Sequence, residues 1–310
     1  MSGYTFTTFR GSPSAEIHEV VTERPSLLKD EVLIKVTHSG VCGTDEHFRR
    51  SGIALGHEGV GVVTELGPEV KSLKITNPQT YGVASQDSGS FATAAIRSER
   101  YLQKIPDGLA SDDAAPLMCA GITVWSALSL HGVRPSDTVG VVGIGGLGHL
   151  AIQFAKAMGC EVIAFSATSS KEEQSLKLGA SCFLSTENRD ALPVPKRLDH
   201  LLITSSQNPD WDLFIPILAN GAKIFPLAVV EENERLDIPY MPCLMKSIQI
   251  IFSIPNIRSF RSMLDFAAKH KIGPIIDRDD MTADGIVRSM EKLKAGNTRY
   301  RGVLYCDSHN

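Results

Sequence analysis

The chain has 310 residues, 43% of them hydrophobic and 21% charged. That globular composition argues against disorder and leaves room for two domains of ordinary size. Against 31 Lys and Arg stand 35 Asp and Glu, a formal charge of -4, so no basic excess exists to neutralise phosphates and a nucleic-acid partner is not expected. No apolar run approaches the roughly 18 residues of a membrane span, so no membrane partner is expected either. The opening residues, Met1 to Thr7, form neither a basic nor an apolar leader, and a cytoplasmic location follows as the expectation.

In chain order, Glu31 to His38 alternates apolar and polar residues, the period of a half-buried strand. Gly59 to Leu66 is a Val-rich run stopped by Gly67-Pro68. Short strands parted by such turns predict a barrel-like β unit. From Ala110 to Leu130 the character changes: Ser111 and Asp112 can cap a helix, and the stretch after them is apolar enough for helical segments. Thr138 to Gly143 predicts a strand and Leu147 to Met158 a helix stopped by Gly159. Glu161 to Ser166 predicts a strand and Ser169 to Leu178 a polar helix ended by Gly179. Strand-like Ser181 to Leu184 and Leu198 to Thr204, helix-like Trp211 to Leu218 and strand-like Ala222 to Leu227 follow. This alternation predicts an α/β fold with a parallel sheet covered by helices on both faces. Phe260 to His270 reads as a helix, and Tyr300 to Cys306 returns to β character.

The six cysteines, Cys42, Cys119, Cys160, Cys182, Cys243 and Cys306, include no C-x-x-C pair and read as free thiols of a reducing compartment. Cys160, Cys182, Cys243 and Cys306 have apolar neighbours and are expected to be buried. Trp125, Trp211 and His149 read as packing residues.

Gly143-Ile-Gly145-Gly146-Leu147-Gly148 satisfies G-x-G-x-x-G between a predicted strand and a predicted helix, the context that makes the motif a dinucleotide fingerprint. The glycines let the backbone turn and approach a pyrophosphate, which the helix N-terminus then binds. An acid at the end of the second strand would hold a ribose 2′-OH. The residues there are Ser166, Ala167, Thr168, Ser169, Ser170 and Lys171, hydroxyls and an ammonium that suit a 2′-phosphate and favour NADP(H). Cys42, His57 and Cys119 are candidate zinc ligands, three N/S donors of the kind that leave a fourth position open. Their spacing alone does not assemble them.

The chain resembles the zinc-type medium-chain dehydrogenase/reductase family, closest to its cinnamyl-alcohol-dehydrogenase-like branch. The resemblance is carried by Gly40-Val-Cys42-Gly-Thr44-Asp45, Gly56-His57-Glu58-Gly-Val-Gly, Ala114-Ala-Pro-Leu-Met-Cys119, the glycine loop through His149, Ser170-Lys-Glu-Glu173, Met263 to His270 and Arg299 to Val303. It implies a GroES-like catalytic domain over 1–121 and 258–310 and a Rossmann cofactor domain over 122–257. It also implies one catalytic zinc on Cys42, His57 and Cys119, with Glu58 beside the metal and Asp45 orienting the histidine. Thr44 matches the hydroxyl that bonds the substrate oxygen, and His47 the residue that passes the proton to solvent through the cofactor ribose. Gly143, Gly145, Gly146, Leu147 and Gly148 match the pyrophosphate loop. Ser166, Ser170 and Lys171 match the 2′-phosphate site, and Arg301 matches an arginine near the cofactor phosphates. The implied reaction is reversible alcohol–aldehyde interconversion with NADP(H), on a small-molecule substrate, with a homodimer as the candidate assembly. Reduction of a C=C or iminium bond and a turnover-free nucleotide-binding scaffold are the alternatives.

The chain departs from the family where Lys71 to Lys74 runs directly into Ile75 to Tyr81. The usual lobe of four closely spaced cysteines is missing there, so no structural zinc is expected. The interval from Cys42 to His57 is also short, and Ile251 to Asn256 lacks the glycines typical near a nicotinamide.

Overall fold

The computed structural model describes residues 3–71, 89–230 and 233–306. The segment expected to replace the cysteine lobe, 75–81 with Ser72 to Lys74 before it, lies outside the described residues. The chain divides into two units, Met1–Cys119 with Phe260–Asn310, and Ala120–Ser259; the sequence places these boundaries after residues 121 and 257.

The first unit opens with strands β1 (Tyr4–Arg10), β2 (His18–Arg24) and β3 (Glu31–Val41), helix α1 (Gly43–Phe48), strands β4 (Glu58–Leu66) and β5 (Ala94–Ser98), and helix α2 (Ser111–Pro116). The second holds α3 (Ile122–Leu130), β6 (Thr138–Val142), α4 (Gly148–Ala157), β7 (Glu161–Ser166), α5 (Glu172–Lys177), β8 (Cys182–Ser185), β9 (Leu198–Ile203), α6 (Trp211–Ile217), β10 (Leu218–Pro226), α7 (Tyr240–Met245) and β11 (Gln249–Ile250). The chain returns to the first unit with α8 (Phe260–His270), β12 (Ile276–Asp280), α9 (Ala283–Lys294) and β13 (Arg301–Tyr305).

In the first unit β1 and β2 form an antiparallel pair, and the order β12-β13-β3-β4 makes a mixed sheet that β5 joins on β3. The alternation read in β3 buries Val32, Ile34 and Val36. Phe9, Leu55, Phe91, Met281, Ile286 and Leu304 pack into one core on this sheet, drawing on both ends of the chain. Register decides the site: Gly40 of β3 faces Glu58 of β4 on one side and Val303 of β13 on the other.

The second unit is a parallel sheet in the order β11-β10-β9-β6-β7-β8, which reverses direction between β6 and β9. Such a switch point opens a crevice at the carboxyl ends of the strands. The strands read as continuous apolar runs because both faces are covered: all five residues of β6 are buried. Helix α4 turns Leu150, Ala151, Phe154 and Ala155 inward, and Trp125 packs on Phe154 with ring centroids 5.7 Å apart.

Three expectations change. The predicted helix from Ser169 is a 3₁₀ turn over Ser169–Lys171 followed by the short α5. Only Cys160 among the four non-ligand cysteines is buried; Cys182, Cys243 and Cys306 are half-buried. Helical segments also join over Ser111–Leu130 into a 20-residue run of mean hydropathy 1.3, long and apolar enough to cross a membrane by length and composition. That run is 72% buried within the protein, as the core helix of a folded domain is.

Candidate metal centre and dinucleotide loop

Helix α1 starts immediately after β3 with Cys42 as its N-cap. Its third residue, Asp45, is fully buried and binds three donors at once. Oδ2 accepts from the Cys42 amide at 3.0 Å, and Oδ1 accepts from the Gly56 amide at 3.1 Å and faces His57 Nδ1 at 2.9 Å. One carboxylate thereby ties the cysteine's backbone to the histidine's ring. With Nδ1 donating to Asp45, the imidazole lone pair lies on Nε2, the tautomer a metal needs. Cys119 arrives on a π-helical turn, Leu117–Gly121, between α2 and α3; such wide turns re-aim a side chain within a helix and recur at functional sites.

Donor atoms of Cys42, His57, Glu58 and Cys119 all lie within 4.8 Å of one another. The two Sγ atoms are 3.9 Å apart. Two sulfurs on one tetrahedral zinc at the usual Zn–S length of about 2.3 Å would stand about 3.8 Å apart, so this spacing needs almost no adjustment. His57 Nε2 lies 3.9 Å from Glu58 Oε1. Glu58 is fully buried; its Oε1 is ion-paired with Arg301 Nη2, while its Oε2 is buried without a hydrogen-bond partner. Two sulfurs, an oriented imidazole and an unsatisfied carboxylate oxygen are a donor set that fits a borderline-soft divalent ion.

The charges agree. The bond from Cys119 holds the Cys42 thiol well below its ordinary pKa, with His57 and Arg301 adding to it against burial. Cys119, whose proton serves that bond, is held well above its ordinary value, and burial adds to the effect. Burial disfavours a charged His57, yet Asp45 and Cys42 outweigh it and hold the imidazole well above its usual pKa. Burial lifts Glu58 to about 7 against the pull of Arg301. An arriving metal ion therefore displaces protons from Cys119 and His57.

Thr44 Oγ1 stands 3.7 Å from Cys42 Sγ, beside the cluster. His47 is exposed on the last turn of α1 and outside the group of four. Arg301, assigned by the resemblance to cofactor phosphates, is 5% exposed and pairs with Glu58. Sequence reasoning missed Gly40: a side chain there would run into the Glu58 carboxylate. A glycine inside an alternating strand marks such close approach.

In the second unit Gly143 adopts φ +90°, which favours glycine. A Cβ on Gly148 would meet the Gly143 carbonyl and Thr204 Oγ1, whereas one on Gly145 would meet nothing within 4 Å. The first glycine thus makes the turn, the last allows helix and strand to touch, and Gly145 leaves open space for a phosphate. Gly146 and Leu147 complete the loop into α4. Thr204 Oγ1 lies 2.9 and 2.5 Å from the Val142 and Gly143 carbonyls, and buried His149 places Nδ1 2.9 Å from the Gly145 carbonyl. Ser166 ends β7 at a cleft of about 400 Å³. Ser170 Oγ is 2.9 Å from Thr168 Oγ1, and Lys171 Nζ donates to the Ile144 carbonyl at 2.8 Å.

Residues 28–107 match the family model of the alcohol dehydrogenase GroES-like domain, and residues 146–269 that of the zinc-binding dehydrogenase. The chain is 33% identical to alcohol dehydrogenase 9 of Catharanthus roseus, covering 91% of this chain and 89% of that protein. It is 31% identical to NADP-dependent alcohol dehydrogenase C 1 of Mycolicibacterium smegmatis, covering 88% and 90%. Its fold is similar to that of a solved structure of CAD from Helicobacter pylori complexed with NADP(H), with TM-score 0.85, 22% identity, and 98% and 99% of the two chains covered.

Proposed function

The chain belongs to the zinc-type medium-chain dehydrogenase/reductase family, in its cinnamyl-alcohol-dehydrogenase-like branch, and on that premise we propose that it is an NADP(H)-dependent alcohol dehydrogenase or aldehyde reductase with one catalytic zinc on Cys42, His57 and Cys119. The observation that carries the proposal is the buried sulfur–sulfur–imidazole set, with Sγ atoms 3.9 Å apart and the ring oriented by Asp45. A zinc ion held there would supply Lewis-acid polarisation of an alcohol or carbonyl oxygen, and a bound nicotinamide would supply the hydride carrier.

The chain's own residues do the rest. Asp45 engages Nδ1 of His57 and so leaves Nε2 as the ring nitrogen that gives up its proton to an arriving metal. Arg301 neutralises Oε1 of Glu58, the carboxylate oxygen that faces His57 Nε2, and so holds a buried acid next to the cluster. Thr44, next to Cys42, holds the proton of a substrate hydroxyl, and His47, exposed further along α1, exchanges it with solvent. The NADP(H) preference is supported by the missing acid after β7 and by a relative named as NADP-dependent. A homodimer is supported by the outermost strand β11 and the residues after it, where Phe252 and Ile254 are 74% and 83% exposed.

Metal analysis beside NADPH consumption with aliphatic, benzylic and cinnamyl aldehydes tests the proposal. In Cys42→Ser and Cys119→Ser, zinc content and turnover fall together; full turnover in a metal-free Cys119→Ser protein rejects the reading. With an enal the expected product is the allylic alcohol, and a saturated aldehyde would move the assignment to C=C reduction.

A further inference from the structure

We infer that Ser90 is a positioning residue for the metal centre: bonded to Ser39, it fixes the turn that presents His57 against the strand that leads to Cys42. The inference rests on the zinc reading above. It adds to that reading a pair of hydroxyls that belong neither to the donor set nor to the bonds of Asp45.

Ser39 is fully buried and Ser90 is 5% exposed, and their Oγ atoms lie 2.7 Å apart. Ser39 stands near the end of β3, just before Cys42, and faces Gly59 of β4 in register. Ser90 is 51 residues further along the chain, on the segment that leads into β5. One hydrogen bond therefore joins the element that delivers a sulfur to the backing of the element that delivers the imidazole.

Ser90 holds the His57 turn in two ways. Its amide donates to the Gly56 carbonyl at 2.9 Å, while the Gly56 amide donates to Asp45 at 3.1 Å. The peptide plane leading into His57 is thereby held by Ser90, and the plane before it by Asp45. The Ser90 side chain also fills the room that two glycines leave. A Cβ on Gly56, which takes φ +90°, would stand 2.6 Å from Ser90 Oγ, and a Cβ on Gly59 would stand 2.6 Å from Ser90 Cβ. His57 and Glu58 are thus flanked by two glycines that together seat one serine.

Leaving a buried hydroxyl unmet costs more than a single bond contributes. Without Ser90 Oγ, Ser39 Oγ keeps a 3.4 Å contact with the Gly40 carbonyl, too long for a normal O–H···O bond. The Ser39–Ser90 bond therefore favours the spacing of β3 and the His57 turn at which both hydroxyls are satisfied. A metal ion that needs that spacing binds more tightly the larger the fraction of molecules already in it.

Competition of zinc against a chromophoric chelator, and exchange of zinc for cobalt(II), test this in the full-length protein, Ser90→Ala, Ser39→Ala and the double variant. Far-UV circular dichroism and a denaturant midpoint accompany each. Cobalt(II) held by two thiolates and an imidazole reports its geometry through visible d–d bands. In Ser90→Ala the zinc Kd rises about 3- to 10-fold, less than the 10- to 100-fold lost with a residue bonded directly to a metal ligand, and the cobalt bands weaken or shift. Ser39→Ala opens the same bond and gives the same change, so it carries the test if Ser90→Ala does not fold. The double variant loses no more affinity than Ser90→Ala, since no hydroxyl is left unmet. Lowered denaturant midpoints with wild-type zinc Kd and cobalt spectrum in the single variants make the pair structural only and overturn the inference. Losses in the two single variants that add in the double variant overturn it as well. A wild-type protein that binds neither ion overturns the zinc reading itself, a result distinct from unchanged affinity in a variant of a metal-binding wild type.

Discussion

Asparagine in place of Asp45 preserves the volume of a fully buried side chain and removes its charge. The carboxylate accepts from the Cys42 and Gly56 amides and faces His57 Nδ1, all within 3.1 Å. An amide has one accepting oxygen, so whichever way it turns, an NH₂ group confronts at least one buried N–H. Leaving one such donor unmet costs about 1–3 kcal/mol. Independently, losing a carboxylate that orients a metal-binding histidine weakens metal affinity by about 10- to 100-fold, which is about 1.4–2.8 kcal/mol. The first cost falls on the folded protein with or without a metal and lowers its stability, whereas the second is the loss of metal affinity, so the two are measured separately. The measurement is a competition titration of zinc against a chromophoric chelator, with NADPH binding to the second unit as the control for folding. A raised zinc Kd with intact NADPH binding is expected in Asp45→Asn. Wild-type zinc affinity in a folded Asp45→Asn protein would refute the claim that this carboxylate sets the ring's tautomer and aim.

Gly148→Ala drives a methyl group into the Gly143 carbonyl and against Thr204, so NADPH and NADH binding, followed by fluorescence, should both be lost while zinc content is retained. Tyr305 donates its hydroxyl to Asp112 at 2.8 Å. Burial, with that bond behind it and Arg278 opposing, pushes the phenol up to about 12. Its contribution to stability is present below the unfolded value of about 10 and is lost as pH rises from there through about 12. Denaturant midpoints across that range should show the gap between wild type and Tyr305→Phe narrowing as pH rises; a constant gap would contradict the assignment.

The parallel sheet was legible because strands such as Thr138–Val142 and Glu161–Ser166 are buried on both faces and carry little but apolar residues. The first unit was harder to read. Strand β12, Ile276–Asp280, has four charged residues in five and is held by its pairing with β13, a tertiary effect that no local pattern carries. Helix α1 is only six residues long, below the length at which periodicity speaks. Helix α9 carries a local signal: Thr282 caps it, and Ile286 and Met290 repeat at four residues. Within the site, Cys42, His57 and Cys119 stood out as residue types, but their convergence depends on a β3–β4 register and a π turn, so it came through resemblance. The partnership of Arg301 with Glu58 had no sequence signature, because it is made across Gly40 by strands from opposite ends of the chain.

That last arrangement bears on the order in which a ribosome delivers the parts. Residues 42, 57, 58 and 119 are all translated long before β13, which slots between β12 and β3 and brings the guanidinium with it. A nascent chain therefore carries every donor atom of the centre while the Glu58 carboxylate still lacks its counter-cation. Completion of the Glu58–Arg301 pair thus waits on the synthesis and docking of β13.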